Sequence, residues 1–237
     1  MKQRSDIPAV VSQGPAFRGL PGASIRTVLE RASRLEYFPR GFLYRQGDPA
    51  RNFFVLESGL LSLTEVTPGG DRTVIRFILP GEPTGYVAIS EIREYVMSAE
   101  VLKPSKVFVW ERETALQLIR EIPGEAANLL NSMISDVVYY HLHTRRLKTD
   151  PLEQRIAWGL LELARARGKP TAKHIDIEYS GHQHLAELAG TNIYAVSREL
   201  SKLERRGALR RERGRILLLE SGRLNGATAD TPAVRSR

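Results

Sequence analysis

The chain contains no cysteine among its 237 residues. Disulfide bonds, thiolate zinc sites, cysteine-ligated iron–sulfur clusters and thiol redox switches are therefore excluded. Any sensing chemistry must use other side chains.

Long apolar runs are missing as well. No stretch approaches the roughly 18 consecutive apolar residues that span a bilayer, and the start MKQRSDIPAVVSQGP lacks the continuous apolar segment of a secretory signal. The sequence therefore predicts no membrane partner and a cytoplasmic location. An apolar fraction of 42% and a charged fraction of 26% are those of a globular protein.

Histidine is absent from Tyr37 to Trp110. This region instead holds short β-branched and aromatic runs with glycine-containing turns between them: FFVLE, LLSLTEV, TVIRFIL, YVMSAEVL and KVFVWE. Such spacing predicts an antiparallel sandwich or barrel. A metal-dependent enzyme built on such a domain needs three or four His or Glu ligands converging from strands. The missing histidines argue against that alternative, and we predict that the protein is not an enzyme.

Positive charge is concentrated in the last third of the chain. From Arg145 to Arg223 there are seventeen Lys and Arg against ten Asp and Glu, whereas the remainder is nearly balanced. A local surplus of this kind is typical of a domain that binds a polyanion, because neutralising phosphates releases counterions. A basic surface that is merely soluble explains the charge equally well.

Helical periodicity flanks the β region. Ser24 to Leu35 predicts a short amphipathic helix capped by Ser24, and a second short helix is predicted around Arg112 to Arg120. Beyond Pro123, a heptad seam beginning at Ala126 predicts a helix of roughly 25 residues that pairs with a second copy of the chain. The predicted dimer contacts are Leu130, Met133, Val137, Tyr140, Thr144 and Leu147.

The alternative for this long helix is packing on its own β domain. That alternative arises because four further apolar residues widen the stripe: Leu129, Ile134, Val138 and Leu142. We expect this second flank to lie on the sheet.

A third segment begins after Asp150-Pro151, where proline disfavours a continuing helix. It reads as a helix, the loop RGKPTAK, a strand-like HIDIEY, two helices joined by a tight turn, and the hairpin-like LRRERGRILLLE. This order predicts a winged helix-turn-helix, whose second helix enters the major groove of DNA.

The stretch AGTNIYAVSRELSKLERRG, from Ala189 to Gly207, is the predicted recognition element. Gly190 permits the turn, and the apolar positions that face the core are Leu185, Leu188, Ala189, Val196, Leu200 and Leu203. The outward positions are Ile193, Tyr194, Ser197, Arg198 and Lys202. Arg198 can donate two bonds to guanine, Ser197 can contact a base or phosphate, and Thr191 and Asn192 are placed for phosphate oxygens. Four arginines are predicted on the wing around Gly214: Arg210, Arg211, Arg213 and Arg215.

From about Ser24 to Arg223 the order of parts resembles the Crp/Fnr family of bacterial transcription regulators. The segment QHLAELAGTNIYAVSRELSKLERRGAL, Gln183 to Leu209, is similar to the family's recognition motif. The resemblance implies an α+β chain with an N-terminal antiparallel β jelly roll of the cyclic-nucleotide-binding type, a long dimerisation helix and a C-terminal winged helix-turn-helix. The expected boundaries are a flexible N-terminus at 1–20, the sensor domain at 21–122, the dimerisation helix at 123–150, the DNA-binding domain at 151–223 and a flexible tail at 224–237.

The same resemblance implies a homodimer that binds double-stranded DNA at a near-palindromic operator, with Gln183 among the DNA-binding residues. It also implies that Ser197 and Arg198 touch operator bases. The family's usual Glu is replaced here by Tyr194. The loop from Gly168 to Lys173 lies where activators of the family contact RNA polymerase.

The resemblance also places a candidate effector pocket at Glu82, Met97, Ser98, Tyr140 and His141. Family members that bind cyclic AMP follow Gly-Glu with an Arg that pairs with the cyclic phosphate. Met97 stands in its place here, and a thioether cannot pair with that charge. We therefore expect no response to cyclic AMP. We also expect no cofactor, since the absence of cysteine excludes an iron–sulfur cluster.

Two alternatives remain open at the level of the sequence. One is a small-molecule or haem sensor whose β domain is the main functional site, with His141 or His143 as a haem ligand. A histidine on a dimer helix is, however, more often packed or solvated than a ligand. The other is an adaptor that binds a small molecule but not DNA, which the clustered arginines disfavour.

Overall fold

The computed structural model describes residues 8–179 and 181–219. The predicted tail at 224–237 and the first seven residues of the predicted flexible N-terminus lie outside them. The described chain is mixed α and β and packs into two compact units. The first extends to Val137, inside the longest helix, and the second begins at Val138 and also includes Arg72–Val74.

The first unit is rich in strands. Among the described residues its elements, including the long helix that begins in it, are α1 (Ala9–Ser12), α2 (Gly22–Glu30), β1 (Ser33–Tyr37), β2 (Phe42–Tyr44), β3 (Asn52–Val66), β4 (Arg72–Ile78), β5 (Pro83–Thr84), a 3-10 helix (Tyr86–Ile89), β6 (Ser98–Glu111), α3 (Arg112–Glu121) and α4 (Pro123–Thr149). The predicted β domain is therefore confirmed.

The strands of the first unit form one sheet in the order β1-β6-β3-β4, with β2 also on β6 and β5 also on β3. Strands β3 and β6 run antiparallel along most of their length. Their apolar side chains alternate between two cores: Phe54 and Leu56 enter one, whereas Phe53 and Val55 enter the other beneath the helices. A strand buried on both faces is apolar without interruption, which explains the run FFVL.

Strand β3 bends at Gly59, where its register with β6 shifts. Gly59 has a φ of 104°, and a Cβ there would lie 2.6 Å from the carbonyl oxygen of Pro104. Only glycine fits this close approach. The bulge joins the two predicted runs FFVLE and LLSLTEV into a single strand of 15 residues.

Two expectations for the N-terminal region were wrong. Helix α2 ends at Glu30 and is preceded by Pro21, so Ser24 is not its cap, and Leu35 lies in β1 opposite Val107. The edge of β6 offers this segment backbone hydrogen bonds that a longer helix would forgo.

Residues 8–20 are also not loosely held, contrary to the prediction for 1–20. Val11, Ala16 and Phe17 are fully buried in the core beneath the helices. Their spacing follows neither the helix nor the strand period, which is why the sequence pattern did not reveal them.

The second unit contains the remaining helices and a small sheet. In the described part of the chain these are α5 (Leu152–Arg167), β7 (Gly168–Pro170), β8 (Ile175–Glu178), α6 (Gln183–Leu188), α7 (Ile193–Arg205), β9 (Leu209–Glu212) and β10 (Arg215–Leu218). The sheet order is β7-β8-β10-β9, with antiparallel pairing throughout. Helix, tight turn, helix and hairpin follow in the predicted order, which confirms the winged helix-turn-helix.

Helix α4 carries an inverted distribution of polarity. Its buried face holds polar side chains, namely Glu125, Ser132, Asp136, His143 and Arg146. Large apolar side chains are exposed instead: Leu130, Met133, Ile134, Val137, Val138 and Leu147. The expectation that Ile134 and Val138 lie on the sheet is therefore wrong, whereas Leu129 is buried as predicted.

Glu125, in the first turn of α4, is the most isolated of these buried polar groups. It lines a pocket whose other walls are apolar, including Phe53, Trp110 and Leu129. Within the described chain its Oε2 atom has no hydrogen-bond partner. Burial therefore raises the pKa of the Glu125 carboxyl to about 7.

We predict that Glu125→Gln stabilises the protein above pH 7 and not at pH 4. The raised pKa means that the folded state holds this proton more tightly than the unfolded state, so wild-type stability falls as pH rises from the ordinary Glu value to about 7. The difference in free energy of unfolding should reach roughly 3 kcal/mol at pH 8. Urea titrations at both pH values measure it. Glu30→Gln, at an exposed carboxylate, should show no such pH-dependent gain.

Candidate nucleic-acid interface

The turn between α6 and α7 is held from two sides. Gly190 adopts a φ of 58°, which side chains other than glycine rarely tolerate. The His143 Nε2 atom lies 2.9 Å from the carbonyl oxygen of Leu188, and the Arg155 guanidinium donates to the carbonyl of Ala189 at 2.8 Å. Residues of α4 and α5 therefore fix the carbonyls that precede the recognition helix.

Burial lowers the pKa of His143, against the opposing effect of its bond to Leu188. The His143 ring packs against Trp158 at an interplanar angle of 33°, with centroids 4.5 Å apart. A neutral ring with the proton on Nε2 donates this bond to the carbonyl.

Helix α7 begins with a side-chain cap. The Asn192 Oδ1 atom accepts from the backbone N–H of Ala195 at 2.9 Å, as expected of an N-cap residue. Asn192 was predicted to contact phosphate. Its oxygen serves the cap, which leaves the amide group and the helix start for an anion.

One face of α7 is open to solvent. Ile193 and Tyr194 expose 41% and 73% of their surface, and Arg198 and Lys202 are exposed as well. Ser197 is half-buried. The opposite face, with Val196, Leu200 and Leu203, is buried as the sequence pattern indicates.

Arg205 is an exposed basic residue on this face that sequence reasoning missed. The signal was present, because Arg205 follows Arg198 by seven residues, or two helical turns. Within the described chain, the guanidinium groups of Arg198 and Arg205 make no ion pair or hydrogen bond. Both are therefore available for a ligand.

Other polar groups of the interface are engaged. Lys202 donates to Glu199 at 2.7 Å, and the exposed Gln183 donates to Glu187 at 2.6 Å. Thr191 is half-buried, and its backbone N–H donates to Ala186.

The wing between β9 and β10 turns at Gly214, which has a φ of 75°. All four predicted wing arginines are exposed, as predicted: Arg210, Arg211, Arg213 and Arg215. Arg211 ties the wing to α7, because its backbone N–H and its guanidinium both donate to Glu204. These bonds hold the pKa of Glu204 below its ordinary value.

The candidate effector residues of the first unit are already engaged. Glu82 accepts from the buried Arg76 guanidinium at 3.1 Å and from the N–H of Leu79 at 3.2 Å. Met97 packs against the apolar core of the sheet. Ser98 accepts from the backbone N–H of Gln46 at 2.9 Å.

Arg76 connects this region to α4. Its Nη1 atom lies 2.6 Å from the Asp136 carboxylate, so one guanidinium serves the carboxylates of both Glu82 and Asp136. Arg76 is fully buried. The sequence pattern did not predict this cluster, because Asp136 lies 60 residues from Arg76 along the chain.

The other two candidate effector residues, Tyr140 and His141, lie in the part of α4 that belongs to the second unit. Tyr140 is half-buried and His141 is exposed. Among residues 8–179 and 181–219, no three His, Asp or Glu side chains are grouped to hold a metal ion. His182, at the entrance of α6, pairs with the Tyr179 hydroxyl at 2.7 Å.

Comparison with known proteins gives two domain matches. The family description "Cyclic nucleotide-binding domain" matches residues 34–122, and "Crp-like helix-turn-helix domain" matches residues 154–226. Together they cover more than half of the chain. Among residues 8–179 and 181–219, none of the helices has the length and hydropathy of a membrane span.

Relatives extend the match over both units. The chain is 28% identical to the Cyclic AMP receptor protein of Thermus thermophilus, over 89% of this chain and 94% of that protein. It is 26% identical to the Transcriptional activator protein anr of Pseudomonas aeruginosa, over 76% of this chain and 74% of that protein.

Solved structures show the same fold. FixK2 from Bradyrhizobium japonicum aligns with a TM-score of 0.71 at 21% identity, covering 81% of this chain and 95% of that one. A CRP-family transcriptional regulator from Thermus thermophilus aligns with a TM-score of 0.66 at 27% identity, covering 80% and 94%. The chain belongs to the Crp/Fnr family and is a transcription regulator with a DNA-binding helix-turn-helix.

Proposed function

We propose that the protein is a homodimeric, sequence-specific regulator that reads a near-palindromic operator and does not respond to cyclic AMP. The observation that carries the proposal is the solvent-exposed face of α7, which presents Tyr194, Arg198 and Arg205. A recognition helix reads base edges from its first turns in the major groove. The exposed wing arginines supply sequence-independent contacts to phosphate.

Arg198 is the residue proposed to set specificity. Its guanidinium is exposed, has no partner in the described chain, and follows the first turn of α7. A bidentate bond to guanine O6 and N7 is the commonest specific contact in such interfaces.

We predict that Arg198→Ala weakens binding to the operator by about 1–3 kcal/mol and weakens binding to random duplex far less. Gel-shift titrations of both duplexes measure the two losses. The matched control is Arg213→Ala on the wing, which should weaken both duplexes alike because a phosphate contact carries no sequence information. Equal losses on both duplexes for Arg198→Ala would contradict this role.

Dimerisation is proposed from the polarity of α4. Leu130 and Val137 expose 58% and 66% of their surface, on a helix whose buried face is polar. Such an apolar stripe on a helix is stabilised when a second copy covers it, and two-fold symmetry presents the same stripe from each chain. Two recognition helices would then read half-sites about one helical turn of DNA apart.

We predict that Val137→Asp weakens the dimer by about tenfold or more, because it places an unpaired carboxylate in an apolar contact. Sedimentation velocity over a range of concentrations measures the shift toward monomer. Asn131→Asp, at an exposed polar position of the same helix, adds the same charge and should leave association unchanged. A wild-type chain that is monomeric throughout would refute the dimer.

Insensitivity to cyclic AMP is supported by the state of the candidate pocket. Met97 offers no cation to a cyclic phosphate, and the nearby Arg76 guanidinium is engaged by Glu82 and Asp136. An anion that competed for Arg76 would have to leave a buried carboxylate unpaired, which is costly.

We predict that millimolar cyclic AMP changes neither the melting temperature nor the operator affinity. A ligand that binds the native state at 100 times its dissociation constant would add about 2.7 kcal/mol of stability, which a thermal melt detects. The Thermus thermophilus Cyclic AMP receptor protein serves as the positive control for the assay. A melting temperature that rises with nucleotide concentration would contradict the proposal.

The proposed function also bears on haem binding, cellular location and contact with RNA polymerase. His143 is bonded to Leu188 through Nε2, which does not favour it as a haem ligand, and His141 is a single exposed side chain. Regulators of this family act on DNA and are not enzymes, which supports a cytoplasmic, non-catalytic role. The segment from Gly168 to Lys173 is proposed as the surface for RNA polymerase.

A further inference from the structure

The first turn of α7 presents an apolar surface where a DNA-reading helix ordinarily offers polar groups. Ala195 and Val196 are buried, so Ile193 and Tyr194 are the side chains of Ile193–Val196 that face solvent. Tyr194 is the most exposed large apolar residue of the described chain, at 73%. Such an aromatic ring in water is stabilised when a partner covers it.

The oxygen atoms of the neighbouring amide and carboxylate side chains are already engaged. The Asn192 oxygen caps the helix through Ala195. The two carboxylates that follow in α7 are held by intramolecular partners, Glu199 by Lys202 and Glu204 by Arg211. The first turns of α7 therefore offer no carboxylate to accept a bond from the N4 amino group of cytosine.

The major groove presents one apolar feature to such a surface. Thymine carries a C5-methyl group at the base edge, and side chains that are apolar contact it. Arg198 lies four residues beyond Tyr194 on the same face, an axial rise of about 6 Å. Successive base pairs are about 3.4 Å apart, so the two side chains match positions one or two base pairs apart.

We propose that Tyr194, with Ile193 beside it, reads the C5-methyl group of a thymine one or two base pairs from the guanine bound by Arg198. This inference rests on the proposed function, since it requires α7 to enter the major groove. The apolar contact thus specifies a second base position, close to the guanine that Arg198 binds.

The test uses the full-length chain and the operator that it selects from a pool of random duplexes. Each thymine of the selected operator is replaced in turn by deoxyuridine, which removes only the methyl group. We expect one position in each half-site to lose about fourfold in affinity, the equivalent of about 0.8 kcal/mol for one methyl group. Substituting both half-sites should cost about fifteenfold.

A base exchange separates the methyl group from the rest of the pair. Replacing the sensitive thymine by cytosine should weaken binding, and 5-methylcytosine at that position should recover part of the loss, because it restores the methyl group at the same edge. No recovery would overturn the proposal.

Two variants assign the effect to the ring. Tyr194→Ser should bind the thymine and deoxyuridine operators equally, whereas Tyr194→Phe should keep the fourfold preference. Both changes are at an exposed position, and circular dichroism checks that each variant is folded. A preference that persists in Tyr194→Ser, or that is lost in Tyr194→Phe, would overturn the assignment, as would a wild-type chain indifferent to deoxyuridine at every thymine.

Failure of the proposed function looks different. If no sequence is enriched from the random pool, sequence-specific binding itself is refuted, and the thymine contact with it. If an operator is enriched and remains sensitive to Arg198→Ala but not to loss of any thymine methyl group, only the present inference fails.

Discussion

The geometry of the recognition helix depends on how three consecutive carbonyl groups are held before it starts. Leu188, Ala189 and Gly190 end the first helix of the motif, and their carbonyls accept bonds from His143 and Arg155. Backbone groups at a helix end need partners from outside the helix. Supplying them from side chains of two other helices fixes where the chain turns and thus which face of α7 is left to solvent.

The distribution of polar and apolar side chains on the long helix α4 is the reverse of that on an ordinary surface helix. Its buried face carries Asp136 and His143, each matched by a specific partner, whereas its exposed face is lined with Leu, Met, Ile and Val. An amphipathic helix normally turns its apolar stripe inward. The reversed arrangement is the basis of our proposal that a second copy of the chain covers this stripe.

In the cyclic-nucleotide-binding domain, the polar side chains of the candidate pocket are engaged in internal contacts. Strands β3 and β6 contribute side chains to two hydrophobic cores, one on each face of the sheet, so apolar residues are needed on both faces. Ser98 and Glu82 satisfy backbone N–H groups, and Arg76 joins Glu82 to Asp136. A site built in this way holds its shape through internal ion pairs. This arrangement supports our proposal that the cyclic-nucleotide-binding fold of this chain does not respond to cyclic AMP.

Local pattern was sufficient for the β region, the long helix, the helix-turn-helix and the solvent-facing residues of α7. The period of 3.6 fixed Val196, Leu200 and Leu203 as buried, and therefore Tyr194 and Arg198 as exposed, while the turn residue Gly190 marked the break between the helices. These features depend on neighbours within one turn of the chain. The tertiary structure alone decided the partners of Arg76, the burial of Phe17 and Glu125, the pairing that converts Leu35 from helix to strand, and the engagement of Lys202 and Gln183 by carboxylates. Apart from the Arg76–Glu82 ion pair and the last two bonds, each of these features joins segments far apart in sequence. Hydrogen bonds, ion pairs and burial are set by distance in space, which a one-dimensional pattern does not contain.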